Sequence, residues 1–176
     1  MIIHSSHIDW QNRILFRPLV LEDMVALEWD GEYTHFRRLY QEIYQSTYNG
    51  KALMWVADLP GEEIVGQLFV QLDSSRNELA NGKNRAYVYG FRVKPAYQCA
   101  GIGTKLLTVV ENDLLQRNYE WITLNVGRNN LDARRFYDRL GYYVMAADPG
   151  QWTYYDDQGK KNQVNEPAWR MLKRLG

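Results

Sequence analysis

Cysteine is almost missing from this chain: Cys99 is the only one among 176 residues. No disulfide can form within the chain, and a reducing, cytoplasmic setting is the natural expectation. An excess of charge of either sign is also missing, since 21 basic side chains meet 21 acidic ones. With no long basic run, nucleic acid is disfavoured as the main partner. No stretch reaches the roughly 20 apolar residues of a membrane span, so no membrane role is expected. The segment Met1 to Asn12 lacks the apolar run of a signal peptide. There are 3 histidines, and no cluster has metal-ligand spacing, so no metal is expected.

What is present fits a soluble globular protein. Apolar residues make up 45% and charged ones 24% of the chain, and the length suits one domain with a sizeable core. Tyrosine (13) and tryptophan (6) are plentiful. Their polar tips suit ligand pockets and their bulk suits cores.

The chain opens with a strand over Ile14–Val20, then a short helix from Leu21 to Trp29. Thr34 is positioned as the N-cap of a second helix running to about Tyr48, closed by Asn49-Gly50. Two apolar runs, Ala52–Leu59 and Glu63–Leu72, are joined by Pro60-Gly61-Glu62 and predict an antiparallel hairpin. A polar loop from Asp73 to Lys83 leads to the central strand. Further on, Trp121–Val126 reads as a strand, Asn130–Leu140 as a helix with Gly141 at its C′ position, and Tyr142–Met145 as a strand start. In the tail, Asp156-Asp157-Gln158-Gly159 suits a hairpin turn, and Trp169–Leu172 a strand or short helix.

The organising stretch is Tyr87 to Asn118. Tyr87, Tyr89, Phe91 and Val93 alternate as on a half-buried strand. Ile102, Leu106, Val110 and Leu114 recur every four residues, one stripe of a helix. Between them lies Gln98-Cys99-Ala100-Gly101-Ile102-Gly103. The first turn of a helix leaves N–H groups unpaired at the positive end of its dipole, and glycines let an anion come close. The loop therefore suits a phosphate or pyrophosphate, or else shapes a tight turn. It is not a Walker loop, because Thr104-Lys105 stand in the reverse order, and it lacks the third glycine of a dinucleotide fingerprint.

The run Val93-Lys94-Pro95-x-Tyr97-Gln98-x-x-Gly101-Ile102-Gly103 resembles the acetyl-CoA motif of the GCN5-related N-acetyltransferases (GNAT). Downstream, Asn130-x-x-Ala133-x-x-Phe136-Tyr137-x-x-x-Gly141-Tyr142 resembles the family's second hallmark, in the family's order and roughly at its spacing. The resemblance covers about residues 13 to 145. It implies a single α/β domain over 13–176, a mixed central β-sheet flanked by helices on both faces, preceded by an N-terminal extension over 1–12. The implied reaction is transfer of acetyl from acetyl-CoA, as co-substrate, to a primary amine of a small molecule or a protein. The alternative is a non-catalytic module that binds acyl-CoA as a sensor or assembly subunit.

Carried over by motif position, Phe91, Arg92 and Val93 would meet the pantetheine arm. Gln98, Cys99, Ala100, Gly101, Ile102, Gly103 and Thr104 would cradle the pyrophosphate. Asn130 would meet acetyl-CoA or simply cap its helix. Lys105, Arg128 and Arg134 could reach the outer phosphate or simply stand in solvent. Tyr137 holds the family's place for the donor to the departing thiolate. Many members carry a Glu on the central strand as base, whereas here that strand offers Tyr87, Tyr89, Gly90 and Arg92; Glu32 is the candidate base in its stead. The acceptor pocket would draw on Trp29, Asp30, Glu32, Tyr33 and His35, with Trp152, Tyr154, Tyr155, Asp156 and Asp157. Acids interleaved with aromatics suit a cationic amine, and exposed aromatics would suit a homodimer surface.

Overall fold

Strands covered on both faces should be apolar almost without break, and the hairpin before the polar loop is. The computed structural model describes residues 9–176. Strands β1 (Leu15–Pro18), β2 (Ala52–Leu59), β3 (Glu63–Gln71) and β4 (Arg85–Val93) pair antiparallel in succession. On one face of β2 and β3, Met54, Val56 and Phe69 pack with Leu27, Tyr40 and Ile43. The last two belong to helix α2 (Arg37–Tyr48), whereas Leu27 lies in a 3-10 segment, Leu21–Gly31. On the opposite face, Trp55, Leu68 and Val70 meet Leu106, Leu107, Val110 and Leu114 of helix α3 (Ile102–Gln116). The four-residue stripe expected for α3 is buried throughout. Helix α1 (Asp9–Arg13) precedes β1.

Strands β5 (Trp121–Gly127), β6 (Tyr143–Asp148) and β9 (Ala168–Arg174) complete a seven-stranded sheet of order β1-β2-β3-β4-β5-β9-β6. Helix α4 (Leu131–Arg139) joins the α3 face through Tyr137. Strands β7 (Gln151–Tyr155) and β8 (Lys161–Asn165) form a separate hairpin. This is the mixed sheet with helices on both faces that the motifs imply.

Two irregularities in the centre matter most. The only parallel pair among the described residues, β4 with β5, runs from Arg85↔Trp121 to Val88↔Leu124 and stops. Beyond it, Tyr89–Val93 and Asn125–Gly127 have no partner in each other, so a gap opens in mid-sheet. On its other side, β4 bulges: Gln67 pairs Arg92 but Phe69 pairs Tyr89, leaving β4 one residue longer. Gly90 sits in the bulge at φ +59°, and a Cβ there would come within 2.5 Å of the Phe69 ring. Both the backbone angle and the space call for glycine. Gln67, itself buried, donates from Nε2 to the Gly90 carbonyl at 3.2 Å and holds the bulge.

The bulge corrects the period-two expectation: Phe91 leaves the face of Tyr87 and Tyr89 and packs toward Phe136 of α4. Thr34 caps no α-helix either. It opens a 3-10 turn, Thr34–Phe36, and α2 begins after it with no side-chain cap. Helix α3 begins at Ile102, since Gly101 at φ +81° ends the loop as its N-cap. The segment after β1 is a 3-10 helix kinked where Trp29 and Asp30 take positive φ. The tail resolves into strands, with the expected turn at Asp156–Gly159 between β7 and β8. Residues 1–8 of the expected extension lie outside the described part. Trp10 packs edge-on against Tyr97, 5.1 Å between rings, just before the glycine loop.

Candidate active site

The gap between β4 and β5 holds a cavity of about 250 Å³ lined by Phe91, Arg92, Asn125, Val126, Asn130 and Tyr137, among others. Both strands end their mutual pairing at its floor, so backbone polar groups of Tyr89–Arg92 face open space on the β5 side. A ligand with amide groups can pair there as a missing strand would. Phe91, Arg92, Asn130 and Tyr137 are thus brought together as the motifs imply.

Val93 and Gln98 to Thr104 lie outside this cavity, on the approach to α3. Gln98 donates from Nε2 to the Val93 carbonyl at 2.8 Å, which ties the loop to the end of β4. The N–H groups from Cys99 to Thr104 meet no backbone acceptor among the described residues; the first to do so is Lys105, which bonds Gly101. Cys99 and Gly101 both take positive φ, and a Cβ on Gly101 would meet nothing within 4 Å. Such a run of free donors at a helix N-terminus, open to solvent, fits a pyrophosphate. Ile102 contributes only its backbone, since its side chain is core. Asn130 is a cap: its Oδ1 accepts from Ala133 N at 3.1 Å. Of the basic residues proposed for the outer phosphate, Arg134 is paired with Asp138 at 3.2 Å and Arg128 stacks on Trp169 at 4.7 Å. Lys105 is exposed and has no ion-pair partner among the described residues.

Tyr137 stands on the buried face of α4 between Phe136 and Tyr142. Burial, with a smaller contribution from the Tyr87 phenol, pushes its pKa well above the ordinary tyrosine value. Its phenol therefore keeps its proton across the working range, which makes it a donor and not a base.

On the opposite face of the sheet lies a larger cavity of about 810 Å³. It shares Tyr89, Gly90, Arg92 and Asn125 with the smaller one, so the two meet at the strand gap. Tyr87 and Tyr89 stack on its wall, 5.5 Å apart and nearly parallel. Burial pushes the Tyr87 pKa up to about 12. Asp148 is fully buried and accepts from Arg76 at 2.6 Å and from Gly150 N at 2.8 Å, with Arg170 at 3.7 Å. Burial raises its pKa, but these hydrogen bonds and the Arg76 charge outweigh that and hold it below the usual carboxylate value. Asn125 also helps to lower the Asp148 pKa. Its Oδ1 is buried and without a hydrogen-bond partner.

Several sequence-predicted acceptor residues stay outside. Glu32 is exposed at the end of the kinked segment and lines neither cavity, so the structure does not bring it to Tyr137. Asp30, Asp156 and Asp157 are likewise absent from both linings, and Trp152 alone of that set lines the larger one. The acids that do so are Glu42, Asp73, Asp148 and Glu166. They come from four separate elements, and no local pattern marks them. The bulge had a signal, a glycine inside a strand. Asn125, Asp148 and Tyr40 had none.

A family model described as the acetyltransferase (GNAT) family matches residues 21–142. An uncharacterized N-acetyltransferase of Archaeoglobus fulgidus is 34% identical over 122 residues, which are 69% of this chain and 80% of that protein. Among solved structures, Ard1 from Thermoplasma volcanium superposes with a TM-score of 0.70 at 18% identity, covering 93% of this chain and 99% of that one. Arabidopsis thaliana NAA60, solved in complex with acetyl-CoA, gives 0.67 at 19% identity, covering 92% and 98%. No helix among the described residues is long and apolar enough to cross a membrane. The chain belongs to the GNAT family of acetyltransferases, enzymes that use acetyl-CoA as co-substrate.

Proposed function

We propose that this acetyltransferase acts on an amine of α-amino type, borne by a small molecule or a polypeptide N-terminus, which needs little help to lose its proton. One observation carries this: none of the residues lining the strand gap is an Asp, Glu or His. Asp148, the buried acid of the larger cavity, is committed to Arg76 and Gly150. A lysine-type amine with a pKa near 10.4 is free in roughly one part in 2,500 at pH 7, while an α-amine near 8 is about one-tenth free. A site without a base favours the second.

In this mechanism the acceptor enters from the larger cavity. Exposed Glu42, Asp73 and Glu166 on its wall support the approach of the fraction still in ammonium form. Asn125 Oδ1 accepts a hydrogen bond from the free amine and aims its lone pair through the gap. The nitrogen attacks the thioester carbon, a C–N bond forms, the C–S bond breaks, and the nitrogen gives its extra proton to water. The carbonyl oxygen gains negative charge against the backbone N–H groups that Tyr89–Arg92 turn toward the gap. Tyr137 donates to the departing sulfur from the other side. Acetyl-CoA itself rests its pyrophosphate on Cys99 to Thr104, whose free N–H groups support that placement.

The test compares lysine blocked at its ε-amine with lysine blocked at its α-amine, following kcat/KM from pH 6 to 10. The expected result is at least a tenfold preference for the free α-amine at pH 7, with a rise that levels near pH 8. A preference for the free ε-amine would overturn the proposal.

A further inference from the structure

The geometry points to Arg92 as the binding site for a carboxylate carried by the acceptor near its reactive amine. The inference rests on the larger cavity being the acceptor side. Arg92 lines both cavities, at their junction. Its Nη1 donates to the Tyr40 hydroxyl at 3.0 Å. Its guanidinium lies 4.1 Å above the Tyr33 ring and 5.5 Å from that of Phe36. No carboxylate lies within ion-pair distance of it among the described residues, and its other donors have no partner there. The contrast with Arg76 is direct. That residue lines the same cavity but is engaged by Asp148 at 2.6 Å and Glu78 at 2.9 Å.

Stacking over Tyr33 satisfies the face of the guanidinium and leaves the donors in its plane free. Those donors form a fork that matches a carboxylate in two parallel hydrogen bonds. The fork is held before any ligand arrives. Tyr40 is 3% exposed and packs edge-on against Phe69, 5.6 Å between rings. Its hydroxyl fixes one end of Arg92 while Tyr33 fixes the plane, so little freedom is lost on binding. A singly charged carboxylate fits better than a phosphate, because Glu42, Asp73, Asp148 and Glu166 line the same cavity and would repel a dianion. The acceptor class is therefore an amine with a carboxylate within a few bonds. Its source is either a free α-amino acid's own carboxylate or an acidic side chain beside a polypeptide N-terminus.

The experiment uses substrate twins that differ only in carboxylate against carboxamide. One arm pairs α-amino acids with their amides. The other pairs short peptides with Asp or Asn, Glu or Gln, at their first two positions. For each twin the ratio of kcat/KM values is measured in the native protein, in Arg92→Gln and in Arg92→Lys. A ratio taken within one preparation does not depend on the folded fraction or on acetyl-CoA affinity. The native protein is expected to favour the carboxylate twin at least tenfold in one arm, and that arm names the source. In Arg92→Gln the ratio should fall to near one, with Arg92→Lys between. A native ratio near or below one would overturn the inference. So would a ratio that survives Arg92→Gln, or failure to acetylate any carboxylate-bearing amine. Arg92-dependent preference for the carboxylate seen with an ε-amine acceptor would instead sink the α-amine proposal and leave this one standing.

Discussion

The two cavities that meet at the strand gap are made of different material. The side proposed for acetyl-CoA is mostly backbone: the unpaired edge of β4, the free N–H run from Cys99 to Thr104, and glycines that keep it open. The side proposed for the acceptor is mostly side chains from distant elements. It sets Arg92 on Tyr40, Asp148 on Arg76, and the Tyr87–Tyr89 stack against each other. Backbone sites recognise what every member of such a family shares, because any residue can supply an N–H group. Side-chain sites can change one residue at a time, and selectivity among acceptors resides there.

The largest expected effect breaks the backbone side alone. Gly101→Glu places a carboxylate over the N–H run; the side chain has open space, and the φ of +81° strains any residue but glycine, so the loop loses both its charge complement and its shape. In thermal melts, acetyl-CoA at 100 times its dissociation constant should stabilise the native protein by roughly 2.7 kcal/mol. That shift should vanish in the variant. A shift of equal size in the variant would remove the loop from the site. Native stabilisation without turnover of any amine would favour the binding-only alternative.

Tyr137→Phe sharpens the comparison next, since it touches the chemistry and spares both binding sides. Turnover should fall about a hundredfold, while acetyl-CoA still stabilises the protein. The burial that raises the Tyr137 pKa also predicts that native activity shows no alkaline loss from this group below about pH 10. Unchanged turnover would remove Tyr137 from the mechanism.

The smallest effect probes the side-chain wall. Asp148→Asn removes the charge from a fully buried acceptor of two hydrogen bonds. A loss of roughly 1.5 kcal/mol in denaturant unfolding at pH 7 is expected, at the low end for charged hydrogen bonds because Arg76 is partly exposed. The folded-state pKa of Asp148 is depressed. Its contribution is thus complete above the unfolded value near 3.9 and disappears as pH falls through the lower folded value. The difference between native and variant proteins should shrink below about pH 4. A difference independent of pH would assign the loss to shape and not charge.

The same division decides what could be read from the sequence. The glycine loop, the stripe of α3 and the run from Asn130 to Tyr142 are local, so spacing alone exposes them. The hairpin β2–β3 was legible for the same reason, from two apolar runs and one turn. The acceptor wall is assembled across the sheet: Tyr40 meets Arg92 from 52 residues away and Arg76 meets Asp148 from 72. No window of sequence holds either pair. Glu32 looked available because it stands before a helix, yet the kink at Trp29 and Asp30 leaves it exposed and outside both cavities.

The extra residue at Gly90 has an arithmetic consequence. In an unbroken strand, odd and even positions keep to opposite faces, and Arg92 would follow Val88 toward α3 and α4. The insertion resets the count midway. Odd-numbered Tyr87 and Tyr89 share the acceptor face with even-numbered Arg92, while Val88 and Phe91 share the other. Pairing the same residues without the bulge would trade the two faces' inventories, sending the guanidinium to the thioester and the phenyl ring to the amine, whereas deleting Gly90 would restore plain alternation and leave both in place. The division of labour across this sheet is kept by parity, and one glycine carries the remainder.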